Sequence, residues 1–125
     1  SIFSEDEPEL LMELKEKTAH VFPEAKHMIS GHLQGRILKG LVKLSGAKRI
    51  LEIGMFTGYS TLCLAEGGAC HIVSCEKDHR AINLAKSFIE KSSFKDAIEV
   101  LEGPAADTIE KLPEEPFDMI FLDCD

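Results

Sequence analysis

The hydrophobic pattern predicts two amphipathic helices at the start of the chain. The first is expected over residues 8 to about 20, because Pro8 suits a first helical turn and leucines follow it at helical spacing. The second is expected from Ser30, a residue type common at N-caps, to Gly46, a residue type common just after a helix. Its apolar stripe consists of Leu33, Ile37, Leu38, Leu41 and Val42. We interpret residues 1–46 as an N-terminal helical part.

The pattern changes from residue 47 onward, where short apolar runs alternate with helical periods. The predicted strands cover residues 49–53, 71–75, 97–101 and 117–122, and the predicted helices cover 59–66, 78–91 and 104–112. Strands that alternate with helices pair in parallel through right-handed crossovers, which predicts an α/β doubly wound sheet. Residues 47–125 are therefore expected to be the α/β part of the same single domain. Because such sheets usually carry more than four strands, we expect the C-terminal half of the domain to be missing.

Composition and charge exclude several classes of partner. The chain is 44% apolar and 29% charged, which is typical of a folded globular protein. Its net charge of −8, from 14 basic against 22 acidic residues, would repel nucleic acid and anionic membranes. The four cysteines form no C-x-x-C pair, and no apolar run approaches the roughly 20 residues of a membrane helix. We therefore expect a cytoplasmic protein with reduced thiols.

A glycine turn followed by an acidic residue indicates a cofactor that contains adenosine. Residues 52–60 read E-I-G-M-F-T-G-Y-S, in which glycines allow a sharp turn from a strand into a helix N-terminus. Glu76 ends the next predicted strand roughly 20 residues later, where a carboxylate can accept both ribose hydroxyls. The alternative for Glu76 is a solvated strand end. The bulky Phe56 disfavours a dinucleotide, because the G-x-G-x-x-G motif requires glycine at that position.

Two further turns follow predicted strands and are weaker signals. Small residues around Ala105 leave room for a flat ring against the backbone, although such a turn is more often a simple helix cap. Asp123 and Asp125 end the last predicted strand, where carboxylate oxygens suit a hard cation such as Mg²⁺. Two acids are too few for a complete metal site.

Together these motifs resemble the metal-dependent O-methyltransferases of small molecules, a family that includes the caffeoyl-CoA and catechol enzymes. The resembling segments are residues 28–30, 34–35, 47–54, 57–60, 102–105 and 117–123, in the same order and spacing as in the family. The E-I-G-x-x-T-G-Y-S string is the most specific, because other methyltransferases commonly carry a third glycine where Phe56 stands. The resemblance implies a Rossmann-like sheet of the class I methyltransferase type, here ending after the fourth strand.

The resemblance also implies the residues that bind S-adenosylmethionine. Glu52, Gly54 and Ser60 would line its methionine and ribose side, together with the rest of the turn. Glu76 would accept hydrogen bonds from the ribose hydroxyls, and Ala105 would contact the adenine through its backbone. The full implied set is Met28, Ser30, Glu52, Gly54, Thr57, Gly58, Tyr59, Ser60, Glu76, Ala105 and Asp123, of which Met28 and Ser30 would close over the cofactor.

For the chemistry, the resemblance implies Asp123 as a catalytic residue and first ligand of Mg²⁺ or another divalent cation. The acceptor would be a small phenolic molecule with a catechol-like or phenylpropanoid hydroxyl, and the family suggests a homodimer. The family's D-A-D-K string becomes Asp123, Cys124 and Asp125 here, so cysteine replaces alanine. The lysine and the later Asp-Asn pair of metal ligands would lie beyond residue 125.

Two alternatives to an active methyltransferase stay open. The chain can be read as a truncated, catalytically inactive protein that binds S-adenosylmethionine or another partner. A nicotinamide dehydrogenase is the other alternative, and Phe56 disfavours it for the reason given above.

Overall fold

The computed structural model describes residues 8–24 and 32–123, with side chains at 32 and 33 excepted. The helices are α1 (Glu9–Val21), α2 (His32–Ser45), α3 (Tyr59–Glu66), α4 (His79–Lys91) and α5 (Ala105–Glu110), with a 3₁₀ turn at Lys95–Ala97. The strands are β1 (Arg49–Ile53), β2 (His71–Glu76), β3 (Ile98–Glu102) and β4 (Met119–Leu122). Every predicted element is present, and most boundaries agree within two residues.

Two boundaries differ from the prediction by two residues, for local reasons. Helix α5 ends at Glu110 rather than 112, because Leu112 precedes a proline and is therefore disfavoured in the α conformation. Strand β4 begins at Met119 rather than 117, because the Asp118 carboxylate instead accepts hydrogen bonds from the backbone amides of Lys48 and Arg49, at 2.8 and 2.9 Å. The predicted N-cap Ser30 lies outside the described residues.

The four strands form one parallel sheet in the order β3-β2-β1-β4. The chain therefore builds outward from β1 to β3 and then crosses back to place β4 on the other side of β1. The connections that leave β1 and β4 diverge at this reversal, and ligands of such sheets bind in the crevice beyond the carboxyl ends of the strands there. The predicted doubly wound topology is confirmed, and it locates the crevice between β1 and β4.

The main core lies between one face of the sheet and helices α1 to α4. Its buried residues include Leu11 and Leu14 of α1, Leu38 and Val42 of α2, Ile50, Leu62, Ile72, Ala85 and Phe88. The predicted stripe of α2 is wrong in part, because Ile37 and Leu41 are 43% and 50% exposed. Only the side of α2 that carries Leu38 and Val42 faces α3. No helix among residues 8–24 and 32–123 is both long and apolar enough to cross a membrane.

Helices α2 and α3 approach closely where α3 ends. A Cβ atom at Gly67 would lie 2.6 Å from Val42 Cβ and 2.8 Å from the Lys39 carbonyl oxygen. Gly67 has a φ of −73°, which any residue can adopt, so the requirement for glycine there is purely steric. This contact fixes the distance of α2 from the helix that follows the glycine turn.

We predict that Gly67→Ala lowers the free energy of unfolding by about 1–3 kcal/mol, because the added methyl forces α2 and α3 apart. Denaturant unfolding measures the change. Asn83→Ala, at an exposed position of α4, is the control and should change stability by less than about 0.5 kcal/mol. A Gly67→Ala protein as stable as the wild type would show that the helices do not approach this closely.

Candidate cofactor site

The turn between β1 and α3 requires glycine at two positions. Gly54 and Gly58 have φ values of +90° and +95°, which side chains with a Cβ rarely adopt. A Cβ at Gly58 would also lie 3.1 Å from Ala85 Cβ, so the turn packs directly on α4. The amides of Gly54 and Met55 both donate to the Cys75 carbonyl, at 2.9 and 3.2 Å, and thereby connect the turn to β2. The backbone conformation of the turn thus explains why glycine occupies both positions implied for the cofactor site.

Phe56 lies at the tip of this turn in a left-handed conformation, with a φ of +52°. Such a conformation costs a non-glycine residue about 1–2 kcal/mol. Two contacts offset that cost: the Phe56 amide donates to Glu76 Oε1 at 2.7 Å, and its ring packs 5.1 Å from the ring of Phe22. Phenylalanine therefore occupies a position whose backbone favours glycine, because neighbouring groups hold it there.

Glu76 connects two of the loops that follow the strands. Its Oε1 accepts from Phe56, while Oε2 accepts from the amides of Lys77 and Asp78 at 3.1 and 3.0 Å. The side chain is partly exposed at the end of β2. An ionised carboxylate offers about four lone-pair sites, so these three bonds leave capacity for a further donor such as a ribose hydroxyl.

Glu52 is a fully buried carboxyl at the end of β1. Ser60 Oγ donates to its Oε2 at 2.5 Å, Ser74 Oγ donates to its Oε1 at 2.9 Å, and the Thr61 hydroxyl also donates to Oε1. Burial raises the pKa of Glu52 above its ordinary value; the three hydroxyl donors oppose that shift, and the nearby negative charge of Asp123 adds to it. Glu52 thus lies beneath the N-terminus of α3, whose first turn contains Ser60 and Thr61.

The side chains of Thr57 and Tyr59 face the core rather than the crevice. Thr57 Oγ1 lies 2.8 Å from Thr18 Oγ1 of α1. Tyr59 is buried, with its ring against Gly35 of α2 and the Lys15 ammonium 5.7 Å from the ring centroid. Only their backbone atoms are therefore positioned to line a ligand in this conformation. Their assignment to the cofactor site stays a prediction.

The loop after β3 meets the same end of the sheet. The Gly103 amide donates to the Glu76 carbonyl at 2.9 Å, and Gly103 has a φ of +133°. Pro104 is the N-cap residue of the short helix α5, and the partly buried Ala105 is the first helical residue. The structure therefore places Ala105 at the same end of the sheet as Glu76, and its contact with the adenine stays a prediction.

Asp123 follows β4 on the opposite side of β1. Its amide donates to the Ile53 carbonyl at 2.9 Å, and its side chain is exposed. Within residues 8–24 and 32–123, no group of three or more His, Cys, Asp or Glu side chains could hold a metal ion. Asp123 alone does not form a metal site. The predicted site residues Met28 and Ser30, and the Cys124 and Asp125 that follow Asp123, lie outside the described residues.

Three hydroxyl residues that support the site are not marked by any motif in the sequence. Thr61 and Ser74 complete the environment of Glu52, and Thr18 contacts the glycine turn. One signal was available: Thr18 follows Leu11 and Leu14 on the buried side of an amphipathic helix, a position that usually carries an apolar residue.

The raised pKa of Glu52 predicts how stability depends on pH. An acid with a higher pKa in the folded state binds more protons when folded, so its contribution to stability is lost as pH rises from about 4.5 through the raised pKa. Glu52→Gln keeps the side-chain shape and removes this titration. The thermal midpoint of the wild type should therefore fall relative to that of Glu52→Gln as pH rises from about 4.5 to neutrality.

Thermal unfolding followed by circular dichroism at a series of pH values measures this difference. Glu110→Gln, which removes an exposed carboxyl of α5, should follow the wild type at every pH. Parallel pH profiles for the wild type and Glu52→Gln would contradict the prediction.

Comparison with known proteins agrees with the fold. A family model described as O-methyltransferase matches residues 1–125. The caffeoyl-CoA O-methyltransferase of Populus kitakamiensis is 36% identical over 129 residues, which cover 95% of this chain and 53% of that protein. The catechol O-methyltransferase of Mycobacterium tuberculosis is 36% identical over 94 residues, which cover 74% of this chain and 43% of that protein.

Solved structures are similar over nearly the whole chain. A methyltransferase of Podospora anserina with S-adenosylhomocysteine bound has a TM-score of 0.87 at 35% identity, covering 97% of this chain and 52% of its own. An O-methyltransferase of Bacillus cereus in complex with the same molecule also has a TM-score of 0.87 at 35% identity, covering 96% and 56%. The chain spans about half the length of the curated relatives it matches. From the family model and this shared parallel sheet, we conclude that the chain belongs to the O-methyltransferase family.

Proposed function

We propose that the chain is the cofactor-binding part of an S-adenosylmethionine-dependent O-methyltransferase. The acceptor would be the hydroxyl of a small catechol-like or phenylpropanoid molecule. The observation that carries the proposal is the Glu76 carboxylate, which accepts the Phe56 amide at 2.7 Å and so joins the glycine turn to the end of β2. Two similar structures that hold S-adenosylhomocysteine support the choice of cofactor.

The residues at the crevice fit this cofactor. Glu76 has remaining acceptor capacity for a ribose hydroxyl, and the turn presents backbone without side chains at Gly54 and Gly58. The N-cap residue of α3 is Gly58, which has no side chain to cap the first amides of the helix. These amides carry partial positive charge, which suits the carboxylate of the cofactor's methionine part. The exposed carboxyl of Asp123 follows β4 at this end of the sheet and would complement a cationic donor.

When bound, S-adenosylmethionine supplies a methyl group on a positively charged sulfur. The protein's contribution is to hold donor and acceptor in line at near-contact distance, which can provide several kcal/mol of the rate enhancement. Glu76 would fix the ribose end, and the Ser60 hydroxyl, itself bonded to Glu52, would lie at the methionine end. Asp123, beyond β4, would bound the side from which the acceptor approaches.

The proposal includes a divalent cation, because the segment that ends in Asp123 resembles the metal-binding segment of the family. Such an ion would lower the pKa of an acceptor hydroxyl and orient it. The described residues supply only Asp123 as a hard oxygen ligand at this edge and do not fit a complete site. No step of the mechanism is therefore assigned to the metal from these residues.

We predict that Glu76→Gln weakens the binding of S-adenosylhomocysteine about 10- to 100-fold, because a hydrogen bond to a charged group is worth about 1.5–3 kcal/mol. Isothermal titration calorimetry on the purified protein measures the dissociation constant. Glu102→Gln is a matched control, since Glu102 ends the neighbouring strand β3 and is exposed. It should bind within about twofold of the wild type. Equal affinity of Glu76→Gln and the wild type would refute the role of Glu76.

Methyl transfer itself is tested with S-adenosylmethionine labelled in the methyl group, using catechol and caffeoyl-CoA as acceptors. We expect transfer in the presence of Mg²⁺ and its loss, by tenfold or more, on chelation. Binding of S-adenosylhomocysteine should survive chelation, since the Glu76 carboxylate and the backbone of the glycine turn would bind it through direct hydrogen bonds. Cofactor binding without transfer to either acceptor would favour the inactive binding protein, and transfer that chelation leaves unchanged would remove the metal from the proposal.

A further inference from the structure

The last turn of α1 contacts two consecutive residues of the glycine turn. Thr18 Oγ1 lies 2.8 Å from Thr57 Oγ1, and the Phe22 ring centroid lies 5.1 Å from that of Phe56. The Phe22 amide donates to the Thr18 carbonyl at 2.8 Å, so both contacts come from one turn of backbone. Residues 39 and 34 positions apart in the sequence thereby form one cluster, which we call the α1 contact.

Three of the four side chains of the α1 contact are almost fully buried. Thr18 and Thr57 are 0% and 1% exposed, and Phe22 is 2% exposed. A buried hydroxyl that loses its partner is left unsatisfied, because water does not reach it. Thr18 also lies 2.7 Å from the Leu14 carbonyl, which fixes its rotamer on the helix. The position of Thr57 is therefore set by a rigid helix rather than by the turn alone.

Thr57 directly follows Phe56, whose left-handed conformation is unfavourable for a side chain of this size. The amide of Phe56 donates to Glu76 Oε1. If Thr57 were released, the turn could relax toward an ordinary conformation, and the Phe56 amide would move from Glu76. The α1 contact and the Glu76 carboxylate therefore hold the same strained turn.

We propose that Thr18 is a positioning residue for cofactor binding. Through the hydroxyl of Thr57 it holds the glycine turn in the conformation in which the Phe56 amide and Glu76 meet. This inference rests on the proposed function, because the turn is taken as the binding site of S-adenosylmethionine. Thr18 lies on α1, outside the turn, and has no exposed surface, so it acts through Thr57 and not by touching the ligand.

A purely structural role for Thr18 gives a different result from a positioning role. Thr18→Val retains the shape and burial of the side chain and removes its hydroxyl, whereas Thr18→Ser retains the hydroxyl and loses a methyl group. If Thr18 only supports the core, both variants lose stability and bind the cofactor normally. If it positions the turn, affinity follows the hydroxyl and not the stability.

The test measures the dissociation constant of S-adenosylhomocysteine by calorimetry, together with the thermal midpoint, at a temperature at which every variant is folded. We expect Thr18→Val to bind about 5- to 50-fold more weakly, since the buried hydrogen bond to Thr57 is lost. Thr18→Ser should bind within about threefold of the wild type. Val42→Ala, a buried change on α2 at the far end of α3, should lower the thermal midpoint and leave affinity unchanged.

Phe22→Leu provides a second variant, in case Thr18→Val does not fold. It loosens Phe56 from the same turn of α1 and should also weaken binding, by about threefold or more. Wild-type affinity in every folded member of this pair would overturn the inference and leave the proposed function intact. Failure of the wild-type protein to bind S-adenosylhomocysteine would instead overturn the proposed function.

Discussion

The hydrogen bond between the Phe56 amide and the Glu76 carboxylate is the interaction on which the site depends. This bond, 2.7 Å long, joins the turn that follows β1 to the side chain of the last residue of β2. Parallel neighbouring strands bring these two points together, because the register pairs Ile53 with Cys75, the residue before Glu76. Without this bond, only the packing of the Phe56 ring against Phe22 would offset the cost of the left-handed conformation at Phe56. One carboxylate thus shapes the turn and keeps acceptor capacity for a ligand.

Glu52 lies next to this turn, and its environment balances the cost of burying a carboxyl against hydrogen bonds from three hydroxyls. Removing its carboxyl from water is costly, and the hydroxyls of Ser60, Thr61 and Ser74 supply the hydrogen bonds that the lost water would have made. The N-terminus of α3 favours negative charge there, whereas Asp123 opposes it. The charge state of Glu52 therefore depends on α3, β2 and β4 together. Glu52 and Glu76 both lie at the carboxyl ends of neighbouring strands, but Glu52 is fully buried and Glu76 is partly exposed.

The N-terminal helices are part of the same architecture as the sheet. Leu11 and Leu14 of α1 share a core with Ile50 and Ile72 of the sheet, and α2 packs on α3 through the contact at Gly67. Helix α1 then reaches the glycine turn itself through Thr18. A segment with no chemical motif of its own thereby bears on the geometry of the site, because rigid packing transmits position from one element to the next.

The sequence by itself determined the order of elements, the parallel sheet, the glycine turn and the acid at residue 76. Local rules are sufficient for these features, since periodicity selects helix or strand and a turn with positive φ selects glycine. The tertiary structure alone decided that Thr57 and Tyr59 face the core, that Ile37 and Leu41 face outward, and that Thr18 meets the turn. These outcomes depend on which helix packs where, and distances between residues far apart in the chain are not encoded in any local pattern.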